Sequence, residues 1–394
     1  MQIKSVILLV VIAVYLSASA SDSIGWRHSV GIDVRPSYPF PSYRDDILRN
    51  HLDVGNARKT KFAASVHLQY SFSFPRNSRQ GSIFPDAWQG LGTAVNFLGN
   101  HKGIGSPISL YAFQGAPVWK MSERFSLYYE WNFGASFGWR PCDGVIARSN
   151  LIVGSRVNAY INVGAGINCR LDDSYALMAG VDLTHYSNGN TSFPNPGVNM
   201  AGLRVGVTRT FGNRTEKASN YAGQDADSIK KRKKLHFDVT AYGAWRRRVY
   251  RGGESPILLK GHYAVAGLDI SPMWQIKEIF RAGASLDFQW DQSTDLKRHH
   301  AYGDTPEDIR FYRPPILSQI CAGISGRAEL VMPVFSVNVG IGYNFIGPPE
   351  TRASYQLANL KVRFTERWFL NIGYQLLNFQ KQNNLMLGIG YSFR

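Results

Sequence analysis

Residues 180–199 read Gly-Val-Asp-Leu-Thr-His-Tyr-Ser-Asn-Gly-Asn-Thr-Ser-Phe-Pro-Asn-Pro-Gly-Val-Asn and carry the strongest signal for the fold. Apolar residues recur here at every second position, which is typical of a β-strand with one apolar face. These apolar residues are Tyr175, Leu177 and Ala179, which come just before residue 180, and then Val181 and Leu183. The same face continues into His185 and Ser187. A base and a nucleophile at the rim of an apolar surface predict an enzyme that attacks lipid within the bilayer.

The first twenty residues predict a secretory signal peptide. Lys4 supplies the positive charge, residues 6–16 form an apolar core, and residues 18–20 read Ala-Ser-Ala, a small-residue cleavage site. The apolar core is too short to cross a bilayer as a helix. We therefore expect residues 1–20 to be removed and the mature chain to be exported.

The composition favours an outer-membrane β-barrel over a soluble β-sandwich. The chain has 38 Gly, 20 Tyr, 22 Phe and 9 Trp residues, and its mean hydropathy is only −0.20. Membrane barrels look hydrophilic on average because only every second strand residue faces lipid. A soluble sandwich would also alternate, but the strands here are long and repeatedly place glycine and asparagine on the inner face. After the signal peptide, no apolar run is long enough for a transmembrane helix.

The formal net charge is +16, which becomes +15 when Lys4 leaves with the signal peptide. Such an excess favours an anionic neighbour. An exported barrel does not routinely meet nucleic acid, so phosphorylated lipid and the anionic outer leaflet are the better candidates. The alternative is that the basic residues lie in loops and lumen and serve solubility.

The cysteines predict neither a metal site nor a disulfide framework. The three residues, Cys142, Cys169 and Cys321, lack metal-type spacing, and an odd number cannot pair fully. A Cys142–Cys169 bridge is possible, but we expect free thiols. No cluster of ligands implies a metal or cofactor.

Strict alternation divides the chain into two sets of eight strands, a pattern typical of membrane barrels. The first set lies within residues 21–212, with strands near 28–36, 62–74, 90–98, 106–118, 124–139, 150–169, 175–187 and 200–211. Residues 213–235 are polar and basic and predict a linker. The second set lies within residues 236–394, with strands near 236–248, 260–274, 279–291, 315–330, 333–345, 353–364, 368–379 and 384–394. Either two eight-stranded barrels or one sixteen-stranded barrel would fit this count.

The two halves end in similar sequences, which indicates a weak internal repeat. Residues 373–381 can be laid on 180–188, and 385–393 on 203–211. In that alignment Asn378 takes the place of His185, Gln380 that of Ser187, and Lys381 that of Asn188. The second half is therefore predicted to lack a nucleophile and a base.

Loop lengths predict which end of the barrel faces outward. Membrane barrels have short periplasmic turns and longer external loops, so the turn at 172–174 is assigned to the periplasm and the loop at 188–199 to the outside. His185 and Ser187 then lie on the lipid face at the outer leaflet.

Asn199 shares this face by its even spacing from Ala201, and it faces His185 across the hairpin. Its amide oxygen could orient the imidazole, as the third member of a serine–histidine set must. Asp182 is turned into the lumen by its parity. Asn188 and the backbone amide of Gly189 are candidate oxyanion donors, on proximity alone.

The segment His185-Tyr186-Ser187-Asn188-Gly189, followed by Pro194-Asn195-Pro196-Gly197, resembles the active-site hairpin of the outer-membrane lipid A 3-O-deacylases, the PagL family. Residues 90–93 and 112–113 resemble earlier strands of the family more loosely, and the resemblance covers residues 26–212. It implies an eight-stranded barrel with catalytic residues on its outer surface, and an esterase that releases a fatty acid from lipopolysaccharide, as acyloxyacyl hydrolases do.

By this resemblance His185 matches the family's base, Ser187 its nucleophile and Asn188 the adjacent asparagine. The acidic member of the family's triad, a glutamate, falls at Asn199, which departs from the pattern. We expect an outer-membrane serine esterase that cuts the 3-position ester of lipid A. The alternatives are a non-catalytic barrel or pore with a relic motif, and an outer-membrane phospholipase on the same site.

Overall fold

The computed structural model describes residues 26–40, 62–76, 78–99, 101–141, 153–192, 195, 197–211, 235–250, 257–259, 261–301, 310–379 and 381–393. The predicted signal peptide, most of the predicted linker and Cys142 lie outside these residues. Cys169 and Cys321 are free thiols. In the part of the chain that is described, no helix is both long and apolar enough to cross a membrane.

The first barrel is a closed sheet of eight antiparallel strands in chain order. Its strands are β1 Arg27–Pro39, β2 Ala63–Ser73, β3 Trp88–Phe97, β4 Gly105–Lys120, β5 Phe125–Trp139, β6 Val157–Arg170, β7 Tyr175–Ser187 and β8 Val198–Phe211. Pairing of β1 with β8, with Val34 opposite Val205, closes the ring. Two short helices, Arg79–Ile83 and His101–Ile104, lie in the β2–β3 and β3–β4 connections.

The second barrel is also a closed sheet of eight antiparallel strands. Its strands are β9 Leu235–Arg246, β10 Tyr263–Lys277, β11 Phe280–Asp291, β12 Ile320–Val331, β13 Phe335–Ile346, β14 Ser354–Arg363, β15 Trp368–Leu377 and β16 Lys381–Phe393. Its connections carry two-residue ribbons (Val249–Tyr250 with Ile257–Leu258, His300–Ala301 with Arg310–Phe311) and 3₁₀ turns at Leu296–Arg298 and Ile316–Gln319. The choice left open by the sequence is thus settled as two barrels.

Alternating burial shows how each strand divides its residues between lumen and exterior. Along β7, Leu177, Val181 and Leu183 are exposed, whereas Asp182 and Thr184 between them are buried. Large exposed apolar side chains occur on fifteen of the sixteen strands, and β14 is the exception. An apolar exterior and a polar interior are the reverse of a soluble protein and match a membrane barrel.

The lumen of the first barrel is filled by charged side chains that satisfy one another. Arg35 donates to both carboxylate oxygens of Asp33, at 2.5 and 3.1 Å, and Arg204 donates to Glu130 at 2.5 Å. Asn162 accepts from both arginines at 3.1 Å. A buried charge is tolerated only when it is paired and hydrogen-bonded, and these pairs meet that condition.

The second lumen is filled in the same manner. Lys361 donates to Asp238 at 2.8 Å and to Glu329 at 2.6 Å. Arg327 donates to Asp287 at 2.6 Å, and the hydroxyl of Tyr355 makes a short hydrogen bond to the same carboxylate. Eight strands leave an interior only wide enough for side chains, and these networks occupy both interiors. A cavity of about 570 Å³ remains at the short-turn end of the first barrel.

At the end of the first barrel that carries the short turns, Asp86 accepts hydrogen bonds from three cations. Arg27 donates at 2.8 Å, Arg76 at 2.6 Å and Lys120 at 2.7 Å. Burial alone would raise the pKa of this carboxyl, but the bonds from Arg76 and Lys120 and the charge of Arg27 lower the pKa well below its ordinary value. Asp86 therefore ties together β1, β4 and the β2–β3 connection.

We predict that Asp86→Asn destabilises the first barrel at neutral pH by roughly 2 kcal/mol, because it removes charge-assisted hydrogen bonds. A carboxyl with a lowered folded-state pKa contributes stability above its unfolded pKa, about 3.9, and loses that contribution as the pH falls through the folded value. The urea midpoints of wild type and variant in detergent micelles should differ from pH 5 to 8, and the difference should begin to shrink below about pH 4. Glu123→Gln, at an exposed turn position, is the control. A difference that persists unchanged at pH 2 would contradict this role.

Candidate functional site

His185 and Ser187 occupy the last two outward-facing positions of β7, and Ser187 is the final residue of that strand. Both side chains are half-buried, whereas Tyr186 between them is inside the barrel at 1% exposure. The parity predicted from the sequence is therefore the parity of the structure. Polar side chains on a lipid face are costly at the midplane and less so at the interface, and these two residues lie at the end of their strand.

Asn199 lies directly opposite His185 in the pairing of β7 with β8. Its Oδ1 is 2.7 Å from His185 Nδ1. Because an amide oxygen can only accept, the proton of the neutral imidazole lies on Nδ1 and the lone pair on Nε2. The hairpin thus holds the ring in the tautomer that a general base needs. Asp182 is buried in the lumen, where it accepts from Asn162 at 2.8 Å, as its parity predicted.

Gly197 is a member of the site whose role was not predicted from the sequence. It precedes the first residue of β8 and has a φ of +75°, which L side chains rarely adopt. A methyl group at this position would lie 3.2 Å from His185 Cε1 and 3.5 Å from Ser187 Cβ. It would also lie 2.5 Å from the backbone oxygen of Tyr186, closer than real Cβ atoms approach. Only glycine fits beside His185 and Ser187.

The residues after Ser187 form a tight turn. Asn188 is buried, and its backbone N–H donates to Oδ1 of Asn195 at 2.9 Å. Gly189 and Asn190 follow with φ values of +62° and +65°. Asn188 and Gly189 therefore follow Ser187 directly, as the oxyanion hypothesis requires, but the backbone amide of Asn188 already has a partner. A donor from Asn188 would have to be its side-chain amide.

An apolar groove of about 890 Å³ crosses the lipid face one row below His185 and Asn199. Leu183 of β7 pairs with Ala201 of β8, and both form part of the groove's lining. Leu183 is two residues before His185, and Ala201 is two residues after Asn199. Ala165, Tyr38 and Tyr129 contribute to its lining from β6, β1 and β5, and the buried Ser37 and Asp182 also border it. The groove therefore lies beside the site and is lined mainly by residues of the surface that faces lipid.

The corresponding hairpin of the second barrel is closed by a different structure. In the second barrel Gly373 pairs with Met386, and in the first barrel Gly180 pairs with Arg204. These two pairs occupy equivalent positions in the alignment of the two halves, so the strand pairing agrees with that alignment. Asn378, the counterpart of His185, has a φ of +50° and accepts a hydrogen bond from Ser354 at 3.0 Å in a short turn. The described residues of this turn, Asn378 and Phe379, carry no side chain that can act as a base.

Among the described residues, no group of three or more His, Cys, Asp or Glu side chains is placed to hold a metal ion. Ser187 supplies a hydroxyl to the site, His185 an imidazole and Asn199 an amide.

Two family models match the chain. One, described as lipid A 3-O-deacylase (PagL), matches residues 63–208, and the other, described as acyloxyacyl hydrolase, C-terminal domain, matches residues 235–394. A comparison with curated proteins gave no match.

Solved outer-membrane barrels show only distant similarity. The structure titled outer membrane enzyme PagL is 16% identical, with a TM-score of 0.28, and the match covers 45% of this chain and 97% of that one. Neisserial surface protein A (NspA) is 10% identical, with a TM-score of 0.30, covering 47% and 96% respectively.

The family assignment rests on the two sequence models, which together span well over half of the chain. The match to the first model includes β7, His185 and Ser187, and the match to the second begins with β9 and runs to the last residue. The chain belongs to the lipid A 3-O-deacylase (PagL) and acyloxyacyl hydrolase family, and it is a bacterial outer-membrane protein.

Proposed function

We propose that this protein is a serine esterase that removes an ester-linked acyl chain from lipid A in the outer membrane. One observation carries the proposal: Asn199 fixes the tautomer of His185 next to Ser187, at the outer end of a lipid-facing strand. In this arrangement the nucleophile meets a lipid ester without the lipid leaving the bilayer.

The reaction follows the roles that these groups can take. His185 Nε2 removes the proton of the Ser187 hydroxyl as the oxygen attacks the ester carbonyl. The side-chain amide of Asn188 and the backbone N–H of Gly189 are the proposed donors to the developing oxyanion. His185 then gives its proton to the leaving sugar oxygen, and water, activated by the same imidazole, releases the fatty acid from Ser187.

The groove beside the site explains how a substrate could be held. Its lining is apolar and includes Leu183, Ala201 and Leu203, so an acyl chain can lie in it while remaining in a hydrocarbon environment. A lipid that diffuses in the outer leaflet reaches this groove sideways. We propose that the scissile ester then lies at the level of Ser187, where the polar headgroup meets the chains.

Lipid A is favoured over phospholipid by the family model that covers the site, described as lipid A 3-O-deacylase. The net charge of the chain, +16 by composition, also suits a phosphorylated glycolipid in an anionic leaflet. A phospholipase would use the same base and nucleophile on a different ester. The products distinguish the two.

The second candidate is a barrel without catalysis, and the uncharged Asn199 is the observation that favours it. A carboxylate in this position would stabilise the imidazolium that forms during the reaction, which an amide cannot do to the same degree. A pore is less well supported, because paired charges fill both lumens.

Expression of the protein in a bacterium with known lipid A, followed by mass spectrometry of the lipid, tests the proposal. We expect wild type to remove the mass of one ester-linked hydroxyacyl chain, and Ser187→Ala to remove none. Ser174→Ala, at the opposite end of β7, should match wild type. Accumulation of lysophospholipid with intact lipid A would identify a phospholipase, and unchanged lipid in all three strains would contradict an esterase.

Replacing Asn199 tests its role as the orienting group. Asn199→Asp should raise kcat about tenfold, because a carboxylate both fixes the ring and stabilises the imidazolium. Asn199→Leu should lower kcat about a hundredfold, because the ring loses its partner. The measurement is the initial rate of fatty-acid release in mixed micelles. An aspartate variant slower than wild type would show that Asn199 does not act on His185 in this way.

Gly197→Ala should lower the same rate about a hundredfold, because a methyl group there displaces the base from the nucleophile. The matched control is Gly261→Ala. Gly261 also has a positive φ, +90°, but a methyl group there meets nothing within 4 Å. Equal losses in the two variants would mean that general destabilisation, rather than the contact with His185, causes the effect.

A further inference from the structure

Tyr186 is the inward-facing residue between the proposed base and nucleophile, and the site as described so far gives it no role. Its side chain is 1% exposed and is among the largest fully buried side chains of the first barrel. Because β7 ends at Ser187, Tyr186 is the last residue of this strand that can be anchored in the lumen. Ser187 pairs with Ala159 of β6, but the pairing with β8 ends at Tyr186, so Tyr186 is also the last residue of β7 with a neighbouring strand on both sides.

The tyrosine hydroxyl has a specific partner. It donates to Oδ1 of Asn96 at 2.9 Å, across the lumen on β3. Asn96 is itself fixed, because its amide nitrogen donates to the backbone oxygen of Pro107 at 2.9 Å and to Ser109 Oγ at 3.0 Å. A satisfied buried polar network is rigid, since each lost bond leaves a buried group without a partner.

The ring of Tyr186 is held on two sides by aromatic neighbours. Trp139 packs edge-on with 5.2 Å between the ring centroids, and Tyr160 packs at 5.3 Å. Trp139 is locked in turn by a hydrogen bond from its indole N–H to Ser136 at 2.8 Å. Such pairs contribute beyond simple burial, and they leave Tyr186 one side-chain position.

We propose that Tyr186 is a positioning residue that fixes the outer end of β7 from inside the barrel. It acts through the backbone: the hydrogen bond to Asn96 and the packing on Trp139 hold the peptide units on either side of Tyr186, and thereby the Cα atoms of His185 and Ser187. The inference rests on the proposed esterase function. It makes the lumen of the first barrel a support for the site on the opposite face of the sheet.

The test compares Tyr186→Phe with Tyr128→Phe in the full chain in mixed micelles. Tyr128 is an equally buried tyrosine on an inward-facing position of β5, and its ring centroid is 5.9 Å from that of Trp88. It pairs with Gly166 of β6, whereas Ser187 pairs with Ala159 near the other end of that strand. Steady-state kinetics give kcat and KM separately, and hydrogen–deuterium exchange is followed in the peptide that covers residues 183–190. Ser187→Ala, measured in parallel, reports whether the cleavage itself depends on the nucleophile.

We expect Tyr186→Phe to lower kcat about tenfold with KM unchanged, and to raise exchange in residues 183–190 about fivefold. Tyr128→Phe should leave both at the wild-type level. Tyr186→Leu, which also removes the ring packing, should lower kcat further. Wild-type kcat and exchange in Tyr186→Phe would overturn the inference, as would equal losses in the Tyr128 control.

The two proposals fail in different ways. If wild type and Ser187→Ala release fatty acid at the same rate, the proposed function is wrong, and the exchange measurement alone then decides whether Tyr186 orders the end of the strand. If Ser187→Ala is inactive while Tyr186→Phe matches wild type in kcat and exchange, the function stands and the positioning role is wrong.

Discussion

The two-residue period of the strand is the constraint on which the site depends. In β7 it sends His185 and Ser187 to the lipid and Tyr186 to the lumen, and pairing with β8 places Asn199 opposite His185. A slip of one residue would exchange the two faces of the strand. It would bury His185 and Ser187 among the lumen charges and expose Tyr186 to lipid. The lumen contacts that forbid the slip therefore also define the site.

Each face of the first barrel has a separate task, and the two are joined only through the backbone. The interior gains its order from charged pairs such as Arg204 with Glu130 and from hydrogen-bonded aromatic residues. The exterior is apolar apart from the rim. A catalytic group on such a surface has few neighbours to hold it, since lipid makes no directed contacts. Rigidity has to come from the opposite side of the sheet, which is why a packed interior suits an enzyme that works on its outer wall.

Much of the architecture could be predicted from the sequence, because alternation is a local property. The faces of β7 and the pairing of His185 with Asn199 followed from parity and one short hairpin. The number of barrels did not follow, since closure depends on pairing between β1 and β8, or β9 and β16, which are distant in sequence. The contacts of Gly197 and Asn195 were also missed, because both depend on the backbone path of a ten-residue loop. A glycine after two prolines was the signal available.

Covalent trapping of the nucleophile tests the central claim most directly. The purified protein in detergent micelles would be treated with a long-chain alkyl fluorophosphonate, digested, and analysed by mass spectrometry to locate the adduct. The account predicts a single adduct on Ser187 that disappears in His185→Ala. An adduct on another residue, or none in a preparation that releases fatty acid from lipid A, would contradict it.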